Sequence, residues 1–374
     1  MNASKIVKVK KVGKLPTIDI EIDNDSHVYY ANGIATSNSH AVAYASNGFH
    51  SAFCKTHFPL QFFCSYLDGA KNKQKPLDEI RILVNDARKF NISVLPPSLR
   101  DMQPRFYIQQ GSVRFGLGEI KQVGNAALNK LLETLKGYDT AALAWYTYLT
   151  KITPHVSSAV STALISAGAL DYFNVPRQRM LFELKIWDSL TAKEQQWIVD
   201  NLTDNNLLDA LKKCAPPRKA GGGCHSIKRT AVLTDLITSL ENPPHSLRDT
   251  SDWIAWNEEK YLGVALTATH LDACMDASRA TCTCKELAEG FTGYILLACE
   301  IQDVVQKKVK NGPNAGKDMA IITVSDDTGT IEGLPVYSNV WEIDGPLCHN
   351  NNTVLLHCER FKEGNLSVKK IYQI

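Results

Sequence analysis

The chain has no apolar run approaching the roughly 20 residues of a membrane-spanning helix, so no membrane partner is expected. Residues 1–10 carry lysines but neither an apolar stretch nor a cleavage site, which argues against a secretory signal. Excess charge of one sign is also missing. The net charge is +2 and the pI about 8.0, so any nucleic-acid surface must come from local clustering. Ten cysteines are present, but without paired C-x-x-C knuckles, and reduced thiols are the expected state. Cys274 with Cys282 and Cys284, and Cys214 with Cys224 and His225, are each at most half of a zinc site, and no metal is assigned to either. There are no internal repeats and no low-complexity tract.

What is present divides into segments. A length of 374 residues suggests about two to four domains, and 44% hydrophobic with 21% charged residues is ordinary for a globular protein. Residues 5–38 read as β-structure. Ile18-Asp19-Ile20-Glu21-Ile22 alternates apolar and acidic residues, Asp23-Asn24-Asp25 is a turn signal, and Val28-Tyr29-Tyr30 begins a further strand. A piece this small cannot bury a core alone and needs a partner. It ends at Asn38-Ser39. An asparagine side-chain amide can attack its own carbonyl and release the next amine, and the following serine supplies a hydroxyl nucleophile.

After that junction the pattern turns helical. Ala41 to Leu67 is rich in Ala, Phe and Tyr and is broken at Pro59; Leu77 to Phe90 places Ile80, Leu83, Val84 and Ala87 at helical spacing; Pro96-Pro97 marks a boundary. Two short helical units come next, one through Gly116-Leu117-Gly118 and Val123-Gly124 into Ala126–Leu135, the other from Val156 to Leu170. Residues 176–211 read as amphipathic helix. Residues 212–230, with Pro216-Pro217, Gly221-Gly222-Gly223 and clustered lysine and arginine, read as a basic linker. A helix is expected over 252–262. From Thr292 onward five strands are expected, Tyr294–Ile301, Met319–Val324, Ile331–Val336, Val354–Cys358 and Leu366–Tyr372, which suggests a small Greek-key barrel of the OB type.

Two resemblances organise these segments. Residues 5–39 resemble the C-terminal half of a split intein. Thr17 to Ile22 looks like the strand that carries an aspartate in that family, Ser26 to Gly33 like its H-x-F/Y-x-A-N-G segment, and Ile34 to Ser39 like its closing segment. The resemblance implies that an acyl group from a partner half moves onto the Ser39 oxygen. Asn38 then cyclises and frees the Ser39 amine, and an oxygen-to-nitrogen shift restores a peptide. His27 is the implied proton donor, Asp19 the helper near acyl transfer, and Ser37 stands where most of the family has histidine. No N-terminal intein block lies upstream, so splicing is expected in trans, without a cofactor.

Residues 39–374 resemble bacterial DNA polymerase III alpha subunits of the DnaE type. The resemblance rests on Ser39-His40-Ala41-Val42-Ala43-Tyr44, on Phe49 to Phe62, on Val94-Leu95-Pro96-Pro97 and on Arg114 to Gly124. It continues through Ala163 to Asp171 and Trp256 to Gly263, all in the family's order. It implies that residues 39–100 belong to the fingers, with His40 and Lys55 near the incoming nucleotide or template. Residues 101–211 would form a helix-hairpin-helix region, whose Gly116, Gly118, Lys121 and Gly124 grip duplex phosphates through open backbone amides. The barrel, in 251–374 after a basic linker at 212–250, offers Tyr294, Tyr337, Lys307, Lys308 and Lys310 to single-stranded template. Asp326-Asp327 is read as a turn and not as a two-metal pair. The palm carboxylates and their Mg2+ would lie on the partner chain.

The expected architecture is multidomain α+β: a small β intein C-fragment at 1–38, helical fingers and helix-hairpin-helix regions, and a C-terminal OB-like β-barrel. Expected partners are the N-terminal polymerase half carrying the intein N-fragment, primer-template DNA, deoxynucleotides and, as a further candidate, a sliding clamp, in the cytoplasm of a bacterial or virus-infected bacterial cell. The competing reading is a non-enzymatic nucleic-acid-binding subunit with an inactive intein remnant, or halves that associate without a covalent joint.

Overall fold

The computed structural model describes residues 28–31, 34–37, 39–201, 206–224, 226–350, 352–360 and 366–374, with only the backbone over 28–43. Asp19, His27, Asn38 and His225 lie outside these residues. The chain divides into two compact units, Met1–Pro59 and Leu60–Ile374.

In the first unit, β1 (Val28–Ala31) and β2 (Ile34–Ser37) pair antiparallel, Val28 opposite Ser37 and Ala31 opposite Ile34. Asn-Gly, the residue pair between them, is the one that best suits a two-residue hairpin connection. Helix α1 (Ser39–His57) begins one residue beyond β2's successor, so the Asn38-Ser39 peptide lies at the strand-to-helix junction. Tyr44, Phe49 and Phe53 on α1 are exposed, and Phe53 stacks against His57 at 4.3 Å between ring centroids.

The second unit has a helical part and a barrel. Helix α2 (Pro59–Ala70) buries Phe63, Leu67 and Ala70. Helix α3 (Pro76–Lys89) starts on proline, carries Asp78 and Glu79 in its first turn and Arg88 and Lys89 in its last, and so matches its own dipole at both ends. A small sheet of β3 (Val94–Leu95), β4 (Tyr107–Gln109) and β5 (Ser112–Arg114) has the order β3-β5-β4, parallel then antiparallel. Then come α4 (Asn125–Leu135), a single turn α5 (Trp145–Thr147) running into a π-helical turn, and α6 (Ser158–Ser166), capped by the Ser157 side chain. The expected helix at 176–211 is three helices, α7 (Arg177–Asp188), α8 (Ala192–Asn201) and α9 (Leu207–Cys214).

The expected basic linker is instead an ordered part of the fold. Pro217 and Cys224 form a parallel β-bridge, and a 15-residue helix, α10 (Ile227–Glu241), capped by Ser226, occupies most of the segment. Pro216-Pro217 and the glycine triplet punctuate a tight turn instead of a flexible tether. A Cβ on Gly223 would stand 2.7 Å from the Cys214 sulfur. Arg229 reaches from α10 to the buried Glu194 of α8 at 2.6 and 2.9 Å. The lysine and arginine content there serves packing between helices as well as surface.

Helix α11 (Ser251–Leu262) is capped by Thr250 and ended by Gly263 at φ +86, a left-handed stop that favours glycine. Two short helices, α12 (His270–Ala273) and α13 (Cys284–Ala288), each open with a capping box, Thr269 with Asp272 and Thr283 with Glu286. His270 bridges α12 to α11: Nδ1 lies 2.6 Å from Asp252 and Nε2 3.4 Å from Glu259. Hydrogen bonding to Glu259 and then to Asp252 raises its pKa to about 9, against 6.5 for the free side chain. A histidine raised in the folded state contributes fully below its unfolded pKa and loses that contribution as pH climbs through the folded one. Wild-type protein is therefore expected to lose melting temperature between pH 6.5 and about 9 in a step that His270→Gln lacks. Thermal melts across that range check it.

The barrel is closed by β6 (Ile295–Lys308), β7 (Asp318–Ser325), β8 (Thr330–Val336), β9 (Thr353–Arg360) and β10 (Leu366–Gln373), with neighbours in the order β6-β7-β8-β10-β9 and back to β6. Only β8 and β10 pair in parallel, Val336 opposite Val368. The five expected strands are all present, and β6 runs longer than expected because its first half pairs with β9 and its second with β7. Helix α14 (Ser338–Asp344), which sequence reading missed, lies between β8 and β9. The barrel core includes Leu297, Ile301, Ile322, Val324, Val354 and Leu356. Helix α3 meets the barrel through Asn85 to Gln302 at 3.4 Å and a Lys89–Glu332 ion pair.

Candidate nucleic-acid interface

The loop leading to α4 shows why this sequence needs its glycines. A Cβ on Gly116 would lie 2.4 Å from the backbone of Arg105, and one on Gly118 2.8 Å from the Pro104 carbonyl oxygen. The N–H groups of Leu117 and Gly118 donate to the carbonyls of Gln103 and Pro104 at 2.8 and 2.9 Å. The expectation that Gly116 and Gly118 leave amides open for phosphate is thus corrected: their loop is sewn to the preceding chain. Gly116→Ala is expected to cost about 1–3 kcal/mol through backbone overpacking. Gly124→Ala, with open space around its Cβ and φ −73, is expected to stay within about 0.5 kcal/mol of wild type. Denaturant midpoints of the two variants check the contrast.

The open donors lie one step further on. Gly124, Asn125 and Ala126 are exposed, no side chain caps α4, and the first-turn N–H groups of a helix have no intrahelical partner. Lys121 is exposed beside this end, and its own backbone N–H is tied to the Tyr261 carbonyl at 2.9 Å. Gly124 and Lys121 therefore stand at an open helix N-terminus, and Gly116 and Gly118 hold the loop that presents it.

On the barrel, Lys307 and Lys308 end β6, opposite Met319 and Asp318, and Lys310 comes after them in the hairpin; all three are exposed. Lys317 on the return strand pairs with Glu342 of α14 at 3.1 Å. Tyr337 belongs to the same end, because Val336 pairs with Ala320, the neighbour of Met319. Tyr294 does not: it immediately precedes β6, at the far end of that strand from Lys307. The expected grouping of Tyr294 with the three lysines is split between the two ends of one strand.

His40 sits in the first turn of α1 and Lys55 in its last, so they are about 22 Å apart along the helix. Ser37 ends β2 and Ser39 opens α1. Asp326 is a turn organiser. Its carboxylate accepts from the N–H groups of Cys284, Thr328 and Gly329 at 2.6, 2.8 and 3.0 Å and from the Thr328 hydroxyl at 2.6 Å. Cys282 and Cys284 are buried in the barrel core, and burial raises both thiols. Burial likewise pushes Cys214 up to about 12. Among the described residues no three ligating side chains gather into a metal set, and no helix is long and apolar enough to cross a membrane.

A family model described as a helix-hairpin-helix motif matches residues 91–180, the stretch from β3 to the start of α7. Proteins named DNA polymerase III subunit alpha align along most of the chain. The Bacillus subtilis protein is 30% identical over 84% of this chain and 26% of its own length. The Campylobacter jejuni protein is 26% identical over 85% and 25%, and the Thermus aquaticus protein 26% identical over 89% and 25%. The chain is similar to the alpha subunit of DNA polymerase III. It spans about a quarter of the length of these relatives. One departure from the polymerase motif has a structural cost: Gln122 stands at φ +75, a left-handed conformation, where the motif carries glycine.

Proposed function

We propose that residues 39–374 are the C-terminal, DNA-binding part of a DnaE-type replicative polymerase, and that residues 1–38 are a split-intein C-fragment. The observation that carries the polymerase reading is similarity to alpha subunits over 84–89% of the chain, on a scaffold that contains a helix-hairpin-helix match and a closed five-stranded barrel. The strand order, with a helix between the third and fourth barrel strands, supports an OB assignment. In this reading the open end of α4 with Lys121 holds duplex phosphates, and the β6–β7 hairpin with Lys307, Lys308 and Lys310 tracks the unpaired template. The palm carboxylates and Mg2+ come from the partner half, which also covers the exposed aromatic face of α1 around Phe49 and Phe53.

Splicing has its own support: the motif order through Asn38-Ser39 and the position of that peptide between β2 and α1. The acyl group passes to the Ser39 oxygen, Asn38 cyclises with loss of the Ser39 amine from its carbonyl, and the freed amine captures the acyl group. His27 protonates the leaving amine and Asp19 assists acyl transfer. Joining the chain to a palm-bearing half should give a nucleotide-incorporating enzyme from two inactive pieces. Primer extension by each half and by the mixture tests this; extension by this chain alone would overturn the division of labour.

A further inference from the structure

The barrel carries a second surface, at the opposite end of β6 from the lysine hairpin. Tyr294 is 60% exposed although the next three residues are buried. Its ring stands 4.7 Å from the His357 imidazole at 33°, a tilted stack on the outside of the barrel. The backbone beneath it is fixed. The Thr281 hydroxyl donates to the Tyr294 carbonyl at 2.6 Å and accepts from the Leu296 N–H at 2.9 Å. The two rings open into a groove of about 740 Å³ walled by Phe291, Arg360 and Lys369.

An aromatic side chain at a strand end ordinarily tucks into the core. Here the core is already filled by Ile295 and Leu297, and the tyrosine is held outward over a histidine. Lys369 pairs with Glu359 at 2.7 Å with both side chains well exposed. Ion pairs of that kind contribute little, so exchanging the carboxylate for a phosphate costs little.

We propose that Tyr294 and His357 form a stacking platform for an unpaired base of single-stranded DNA, with Lys369 and Arg360 placed for the adjoining phosphate. The proposal rests on the reading of the barrel as a nucleic-acid module and adds a base subsite distinct from the lysine hairpin. Stacking tolerates any base, because every base has a π-face, so the subsite would hold the strand without reading its sequence.

The test uses the full chain and a fluorescein-labelled oligothymidine, with affinity measured by anisotropy at several salt concentrations. Tyr294→Ala is expected to weaken binding about 5- to 150-fold with the salt slope unchanged. Tyr294→Phe should stay within about twofold, since the ring is kept. Lys369→Ala should lower the slope by about 0.7, the value for one phosphate contact on a single strand, and the Lys307→Ala/Lys308→Ala pair by about 1.4. If the lysine pair acts as described and Tyr294→Ala binds as wild type, the base subsite is overturned and the barrel reading stands. If the wild-type chain fails to bind oligothymidine, both fall. Tyr294 is exposed, so unchanged circular dichroism of its variants is expected to separate binding from folding.

Discussion

Arg177→Ala is expected to cost about 3–5 kcal/mol of stability, the range for removing one partner of a buried ion pair. The Arg177 side chain is 2% exposed and Glu258 fully buried. The guanidinium donates to both Asp171 oxygens at 2.8 and 2.6 Å, to Glu258 at 2.9 Å, to the Ser166 carbonyl at 3.2 Å and to Thr267 at 3.2 Å. The other Glu258 oxygen accepts the N–H groups of Leu266 and Thr267 at 2.6 and 2.8 Å. Gly168, at φ +82, leaves the room: a Cβ there would stand 2.4 Å from the guanidinium. One side chain of α7 thus ties the turn after α6 to α11 and the chain beyond it. Alanine strands the Glu258 charge in the interior, and lysine keeps the charge but loses the planar fork. Chemical denaturation monitored by tryptophan fluorescence measures the loss. A midpoint shift worth under about 0.5 kcal/mol, as at a surface site, would contradict this account.

The second large effect concerns the junction. Asn38→Ala is expected to stop joining and to leave a branched ester, while Ser39→Ala prevents the branch from forming. In each case spliced product should fall at least about 10²-fold, the size of effect for a positioned reacting or proton-transferring group. Ser37→His should quicken cyclisation, because it restores an imidazole beside the amide that breaks. Gel analysis of a mixture with the complementary half reads all three. Splicing at the wild-type rate in Asn38→Ala would remove the cyclisation step from the mechanism.

Much of this was legible in the residues. The five barrel strands were visible in alternation and in turn pairs such as Asp327-Thr328-Gly329, and helix 252–262 in its apolar spacing and Gly263. What escaped was long-range. Pro216-Pro217 and Gly221–Gly223 look the same in a tether and in a tight turn, and only the contacts to Cys214 and Trp197 decide between them. Gly116 and Gly118 suggested open amides, but Pro104 and Arg105, a dozen residues earlier, take the space a Cβ would need. Tyr294 and Lys307 looked like one site because they share a strand; the length of that strand separates them. Arg177 gave no signal at all, since its partners Asp171 and Glu258 are far apart in sequence.

The most direct test of the central claim is mass spectrometry of the protein from its own cells, searching for a tryptic peptide that crosses Ser39. The expected result is Ser39 joined to polymerase sequence foreign to this chain, with residues 1–38 released. An intact Asn38-Ser39 bond in every molecule would contradict it and leave the chain a binding subunit with an inert β-hairpin at its head.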